Sequence, residues 1–370
     1  MSRNDLHFVV PGSLDQRTGG YVYDARMIRG LRDRGRSVRV HELEGAFPEA
    51  DGTARRSLAD TLESVPSESV VIVDGLAGGG LPEVLATHRE RLRTVALVHH
   101  PLADETGLPA SAAARLQDSE RSALAACRGV VVTSSFTARR LEEYEVPPDR
   151  IRVAVPGTEP GATASGPGAG KPAQLVCVAS ITPRKGHRTL VDALARIRDL
   201  EWSCVLAGSG RLAPDHARRV RDHVEDNGLA GRVSFVGELG PEALDELYRR
   251  STLFVLASHY EGYGMALTEA LARGLPVVST TGGAIPFTVP EDAGVLVPPG
   301  DASALGRALR SVLAEDGEML RRLKAGAIRA AGTLPDWAQA VVAFEGAVDT
   351  LARLDPGFRR VSANSGSRTT

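Results

Sequence analysis

The sequence predicts an α/β protein of two domains, each built on a parallel sheet. Three observations carry this. Short, continuously apolar runs recur along the chain and alternate with helix-patterned segments, as in sheets covered on both faces. A stretch rich in Gly, Pro, Ala and Ser, residues 156–172, interrupts the series once, after which it resumes. The 370 residues also exceed what one ordinary core encloses.

The elements follow in order. His7 to Val10 reads as the first strand, and a loop ending Thr18-Gly19-Gly20 leads to a helix over about 21–34. Val38 to Val40 is the next strand. Val70 to Val73 follows, trailed by Asp74 and the triple glycine 78–80. Val95 to Val98 runs into His99-His100-Pro101. A helix over about 110–126 precedes the strand Val130 to Val132, and Ser134 and Ser135 open another helix. Beyond the linker, strands are expected at 175–178, 204–207, 233–236, 253–257, 276–278 and 294–297. A last helix, about 337–354, comes late enough to pack back across the first domain. The expected division is therefore 1–155 and 173–335, joined by 156–172, with a disordered polar tail at 359–370.

Composition narrows the function. Apolar content of 42% and charged content of 24% are globular values. A net charge of −2 argues against nucleic acid as the main partner. No run reaches the ~18 apolar residues of a membrane span, so integral membrane contact is not expected. The polar start, Met1 to Asp5, does not resemble a signal peptide. Cys127, Cys177 and Cys204 have no paired spacing and read as buried thiols, which favours the cytoplasm.

The richest segment is Glu261-Gly-Tyr-Gly-Met-Ala-Leu-Thr-Glu269. It follows an apolar strand and reads as a glycine turn opening a helix, 266–272. A helix start presents free N–H groups that prefer an anion. Glu261 stands before the helix and Glu269 is expected two turns inside it, one on each side of a bound phosphate. Either glutamate alone is explained by a solvated surface; the pair with the glycines is less so.

Pro183-Arg184-Lys185-Gly186 lies at a strand's C-terminal end, where open α/β sheets bind ligands, ahead of a helix expected over 189–197. Two adjacent cations there can neutralise a diphosphate. A basic surface turn is the plain alternative, but only three lysines occur in the chain, Lys171, Lys185 and Lys324. Gly208-Ser-Gly210-Arg-Leu-Ala213 matches a dinucleotide fingerprint, with Glu225 downstream. It follows the second strand of its domain, and Pro214 sits where the helix should continue. NAD is therefore disfavoured, and Gly208 and Gly210 are assigned to close backbone approach. Thr18-Gly19-Gly20-Tyr21 is the equivalent strand–loop–helix junction of the first domain. His99 and His100 end a buried strand, and Asp104 and Glu105 follow, placed to orient an acceptor or simply exposed.

Taken in order, 183–186, 206–210, 235–237, 261–269, Gly274-Leu-Pro-Val277 and 294–301 resemble the family 4 retaining glycosyltransferases of GT-B architecture, two Rossmann-like domains facing across a cleft. The resemblance covers about 7–350. It implies a nucleotide-sugar donor on the second domain and an acceptor on the first. It places Arg184, Lys185 and the helix start Gly264, Met265, Ala266 and Leu267 on the diphosphate. It puts Glu269 on the ribose, Val236 and Gly237 at the base, and Glu261 on the sugar hydroxyls. His99 lies near the reacting sugar, the helix start at Gly19 and Gly20 can bind a phosphate or that sugar, and His100, Asp104 and Glu105 are the acceptor candidates. An arginine common in the family is replaced here by Ser180. Uridine is the expected base, and no cofactor or metal is expected. Asp-x-Asp, HExxH and CxxC motifs are absent from the sequence.

Other classes fit less well. A glycosidase needs its carboxylates ~5–9.5 Å apart, whereas eight helical residues span ~12 Å. A nucleotide-sugar-binding protein without catalysis, or a transferase acting on a lipid or glycan, remains the alternative. The sequence does not reveal the sugar, the acceptor or the oligomeric state.

Overall fold

A computed structural model describes residues 5–314 and 317–355; the expected tail at 359–370 lies outside them. Two six-stranded parallel sheets form the architecture. The first comprises β1 (Asp5–Pro11), β2 (Ser37–Leu43), β3 (Val70–Asp74), β4 (Arg93–Val98), β5 (Gly129–Val132) and β6 (Ile151–Val153), in the order β2-β1-β3-β4-β5-β6. The second comprises β7 (Ala173–Val178), β8 (Trp202–Ala207), β9 (Val233–Gly237), β10 (Leu253–Val255), β11 (Val277–Thr280) and β12 (Gly294–Val297), ordered β12-β11-β10-β7-β8-β9.

These orders decide where ligands go. Strand order reverses between β1 and β3 in the first sheet and between β7 and β10 in the second. Loops leaving neighbouring strands toward opposite faces open a crevice at such a point. The loops concerned carry Thr18-Gly19-Gly20 and Asp74 on one side, and Pro183 to Gly186 and Glu261 to Gly264 on the other.

The central strands are apolar on both faces because helices cover both: Phe8, Val9, Val71, Ile72, Val95 and Leu97 are fully buried. The last helix, Trp337–Leu351, completes the first domain's core. An Asp336–Gln339 capping box starts it. Phe344 then stacks 6.4 Å from Phe8 and meets Tyr23 edge-on at 6.0 Å. Gly30 lets this helix approach closely, since a Cβ there would stand 2.3 Å from Val341.

Several element ends differ from expectation. The first helix begins at Gly19 rather than Tyr21. Residues 183–185 form a short 3-10 turn, and the helix behind them is His187–Ala195 rather than 189–197. Left-handed Gly186 (φ 64°) makes that break. The strand expected over 253–257 ends at Val255. Pro214 does not interrupt a helix but starts one, Pro214–Asp226, where its missing N–H costs nothing.

Candidate active site

The helix Met265–Ala272 is only eight residues long, so Glu269 lies one turn inside it, not two. Gly264 caps it in the left-handed region (φ 91°). Leu267 is fully buried and its N–H already donates to the Gly264 carbonyl at 2.9 Å. Met265 and Ala266 are therefore the residues whose N–H groups lack an acceptor among the described residues. Leu267 supports the helix start from below and offers it no donor.

Arg184 and Lys185 reach the same crevice. Lys185 Nζ donates to Glu261 Oε1 at 2.6 Å, and Ser258 Oγ donates to the same oxygen at 2.6 Å. Arg184 Nη1 donates to the Tyr260 carbonyl at 2.9 Å and stands 3.6 Å from Glu261 Oε2. Burial pushes the Glu261 carboxyl up, but Lys185 and Arg184 outweigh it and hold the group below its usual range. Burial lowers the Lys185 ammonium against the pull of Glu261. Glu269 accepts the Tyr248 hydroxyl at 2.9 Å, and burial raises its carboxyl.

The glycines have packing reasons of their own. A Cβ on Gly208 would stand 1.9 Å from the Ala179 carbonyl, and one on Gly210 2.8 Å from Ala217 Cβ. The Gly208 N–H bonds the Gly237 carbonyl at 2.7 Å, so this loop and the end of β9 are tied together. Val236 is exposed beside it.

From the first domain, His99 leaves β4 and Asp74 ends the adjacent β3. His99 Nε2 stands 3.1 Å from Asp24 Oδ1 and 3.3 Å from Asp74 Oδ2. Among the described residues this is the one convergence of three such side chains that could surround an ion, and the imidazole stands within hydrogen-bonding reach of both carboxylates. Gly20 packs on the ring, where a Cβ would be 3.1 Å from it, and a Cβ on Gly19 would stand 3.8 Å from Met265 Sδ.

The acceptor candidates are engaged by the chain itself. Asp104 accepts from Arg140 Nη2 at 2.8 Å and from the Tyr260 hydroxyl at 2.9 Å. Glu105 meets His100 at 3.5 Å and Arg184 at 3.3 Å. Although burial opposes it, the His100 hydrogen bond and the Arg184 guanidinium draw the Glu105 carboxyl down to about 2. Tyr260 and Arg184 belong to the second domain, so Asp104 and Glu105 fasten the cleft across its mouth rather than standing free.

Sequence reasoning missed Asp24, Tyr248, Ser258 and Tyr260, and gave Asp74 no role. Asp24 was detectable. It shares the buried helix face with Tyr23, Met27, Ile28 and Leu31, and an acid on such a face requires a partner. Ser258 serves Glu261 from only three positions away, whereas Tyr248 and Tyr260 act across 21 and 156 positions, which no local pattern records.

Two family models match in succession: "Glycosyltransferase Family 4" over residues 19–161 and "Glycosyl transferases group 1" over 164–330. A D-inositol 3-phosphate glycosyltransferase from Acidothermus cellulolyticus is 31% identical over 222 residues, 54% of this chain and 49% of that protein. A glycogen synthase from Mycobacterium tuberculosis is 33% identical over 172 residues, 45% and 40% respectively. The chain thus spans about half the length of the curated relatives it matches, or less. Among solved structures, sucrose-phosphate synthase from Thermosynechococcus elongatus superposes with a TM-score of 0.79 at 21% identity, covering 94% of this chain and 99% of that one. Anabaena HepE, solved with UDP and glucose, gives 0.73 at 17% identity over 95% and 100%. These likenesses establish the two-domain GT-B fold.

Proposed function

The chain belongs to the family 4 glycosyltransferases, and from that premise we propose that it moves a sugar from a nucleotide-diphosphate donor to a hydroxyl of a small polar acceptor. The observation that carries this reading is the meeting of Arg184, Lys185 and the two free N–H groups at Met265 and Ala266 in one crevice. A diphosphate is the ligand such a set selects, because its charge grows as the glycosidic bond breaks. Its closure by Gly19 and His99 from the facing domain supports a sugar held between the two.

In this reading Arg184 and Lys185 stabilise the departing diphosphate without a metal, and Glu261 shares its carboxylate between Lys185 and the sugar's hydroxyls. Glu269, held by Tyr248, takes the ribose, and exposed Val236 borders the base. UDP is the favoured nucleotide, a choice supported by the HepE complexes. Transfer retains the anomeric configuration, the acceptor attacking on the face the diphosphate leaves. No described helix is long and apolar enough to cross a membrane, and a cytoplasmic site of action fits a nucleotide-sugar donor.

A thermal-shift screen against UDP, GDP, ADP and dTDP, followed by turnover of the corresponding sugars with and without chelator, tests the proposal. Stabilisation by UDP, chelator-resistant transfer and an α product from an α donor are expected. A β product overturns retention, and loss of activity in EDTA restored by Mn²⁺ overturns metal independence. Donor binding without transfer to any acceptor would leave a nucleotide-sugar-binding protein.

A further inference from the structure

Three elements bring charge to one point at the base of the cleft. Asp24 comes from the helix Gly19–Asp33, Asp74 from the end of β3, and His99 from the loop after β4. Both carboxylates are buried, at 1% and 7% side-chain exposure, while the imidazole is 20% exposed. Among the described residues neither carboxylate touches a lysine or an arginine. Asp24 has His99 and the neighbouring Asp74 carboxyl beside it, and Asp74 also has His99 and the Leu76 N–H, which its Oδ1 accepts at 2.6 Å. Two carboxylates withdrawn from water this way need a compensating cation, and His99 is the group in place to be one.

We propose that Asp24 and Asp74 are positioning residues that hold His99 as an imidazolium in one fixed orientation, a permanent positive charge facing the donor sugar. The sugar-facing part of this statement rests on the function proposed above; the protonation state does not. Asp74 is itself fixed by Leu76, and the ring is confined by Gly20 and by the edge of Tyr23, whose centroid lies 5.5 Å away. Nε2 faces the two carboxylates. Nδ1 has no protein partner among the described residues, so it is the nitrogen left to donate to a ligand oxygen.

Burial raises the Asp24 carboxyl to about 7 although His99 pulls it down, and Asp74 beside it adds to the rise. Burial alone would lower the imidazole, but Asp24 and Asp74 outweigh it and raise it well above its ordinary range. Tyr23 and Asp24 face the ring from the helix, and Asp74 faces it from β3. Adjacent His100 turns instead to Glu105, and the Tyr21 hydroxyl is spent on the Pro11 carbonyl. A histidine kept protonated cannot accept the acceptor's proton. His99 is thereby excluded as the general base that inverting transfer requires, and left to act as a charged donor.

Nitrogen-15 NMR of protein labelled at histidine, with His99 assigned by difference from His99→Gln, tests this directly. Both His99 ring nitrogens should stay protonated from about pH 6 to about pH 9, where an unperturbed imidazole loses its proton. Asp74→Asn and Asp24→Asn should each bring the His99 titration down into that window. They should also lower kcat about tenfold, the scale of a modestly misplaced group, with the donor KM nearly unchanged. Asp74→Asn suffices should Asp24→Asn fail to fold. An imidazole that is neutral at pH 7, or bound to a metal, overturns the proposal, as does an unchanged titration in a folded Asp→Asn variant. The spectrum reads His99 whether or not sugar transfer is found, so a failed assay refutes the transferase reading and a neutral ring refutes this one.

Discussion

Lys185 Nζ stands 2.6 Å from Glu261 Oε1, joining the two loops that leave β7 and β10. Both side chains are largely buried, at 18% and 7% exposure, and the residues lie 76 positions apart. The pair exists because β7 and β10 are neighbours in the second sheet. It makes the cation at the crevice a shared charge, partly neutralised by the carboxylate beside it.

Removing one partner should therefore cost stability as well as turnover. Lys185→Ala strands the Glu261 carboxylate, a loss of about 3–5 kcal/mol for a buried pair. Lys185→Ala combined with Glu261→Gln should recover part of that loss, and urea denaturation of the single and double variants measures the coupling. Strict additivity would show that the two groups do not sense each other.

Glu269 is set for a different task. Tyr248 donates to Oε2 at 2.9 Å, while Oε1 has no protein partner among the described residues. Glu269→Ala should weaken UDP binding by roughly 1–3 kcal/mol, the scale for losing a partner of buried hydroxyls, and Tyr248→Phe by less. Calorimetry on folded variants decides; affinity unchanged in Glu269→Ala removes the ribose assignment.

Gly262 tests the closure of the cleft. A Cβ at this position would stand 2.1 Å from the His99 carbonyl oxygen and 3.1 Å from His100 Cβ, both in the facing domain. Backbone cannot yield at such a distance, so Gly262→Ala should hold the domains apart. Small-angle scattering should show a larger radius of gyration, and turnover should fall with the fold intact. Wild-type dimensions and rate would contradict the contact.

Two buried groups set opposite pH limits. Burial, reinforced by His216 and Lys185, lowers His187 to about 3. Its folded value lies below the unfolded one, so stability is present above the ordinary histidine value of 6.5 and is lost as pH falls toward about 3, at up to roughly 1.4 kcal/mol per unit. Burial raises Glu120 to about 8, so its contribution is present below 4.5 and is lost as pH rises through about 8. Denaturation across pH should show His187→Leu flattening the acid limb and Glu120→Gln the alkaline limb. Unchanged limbs would mean that neither group changes its proton affinity on folding.

The sequence by itself determined the α/β class, the succession of strands and the loops at which the chain could meet a ligand. Each of those is a local property. Val70 to Val73 and Val95 to Val98 are apolar throughout because helices cover both faces, and Gly264 and Gly186 stand where the backbone must turn left-handed. The tertiary structure alone decided which of these loops meet, and so what their side chains do. It gave Lys185 to Glu261, closed Asp104 and Glu105 against Tyr260 and Arg184, and set Asp24 and Asp74 around His99. Periodicity and turn chemistry act over a few residues, whereas partners such as Asp74–His99, Lys185–Glu261 and Asp104–Tyr260, the last two 76 and 156 positions apart, are chosen by strand order and by the closing of one sheet over the other.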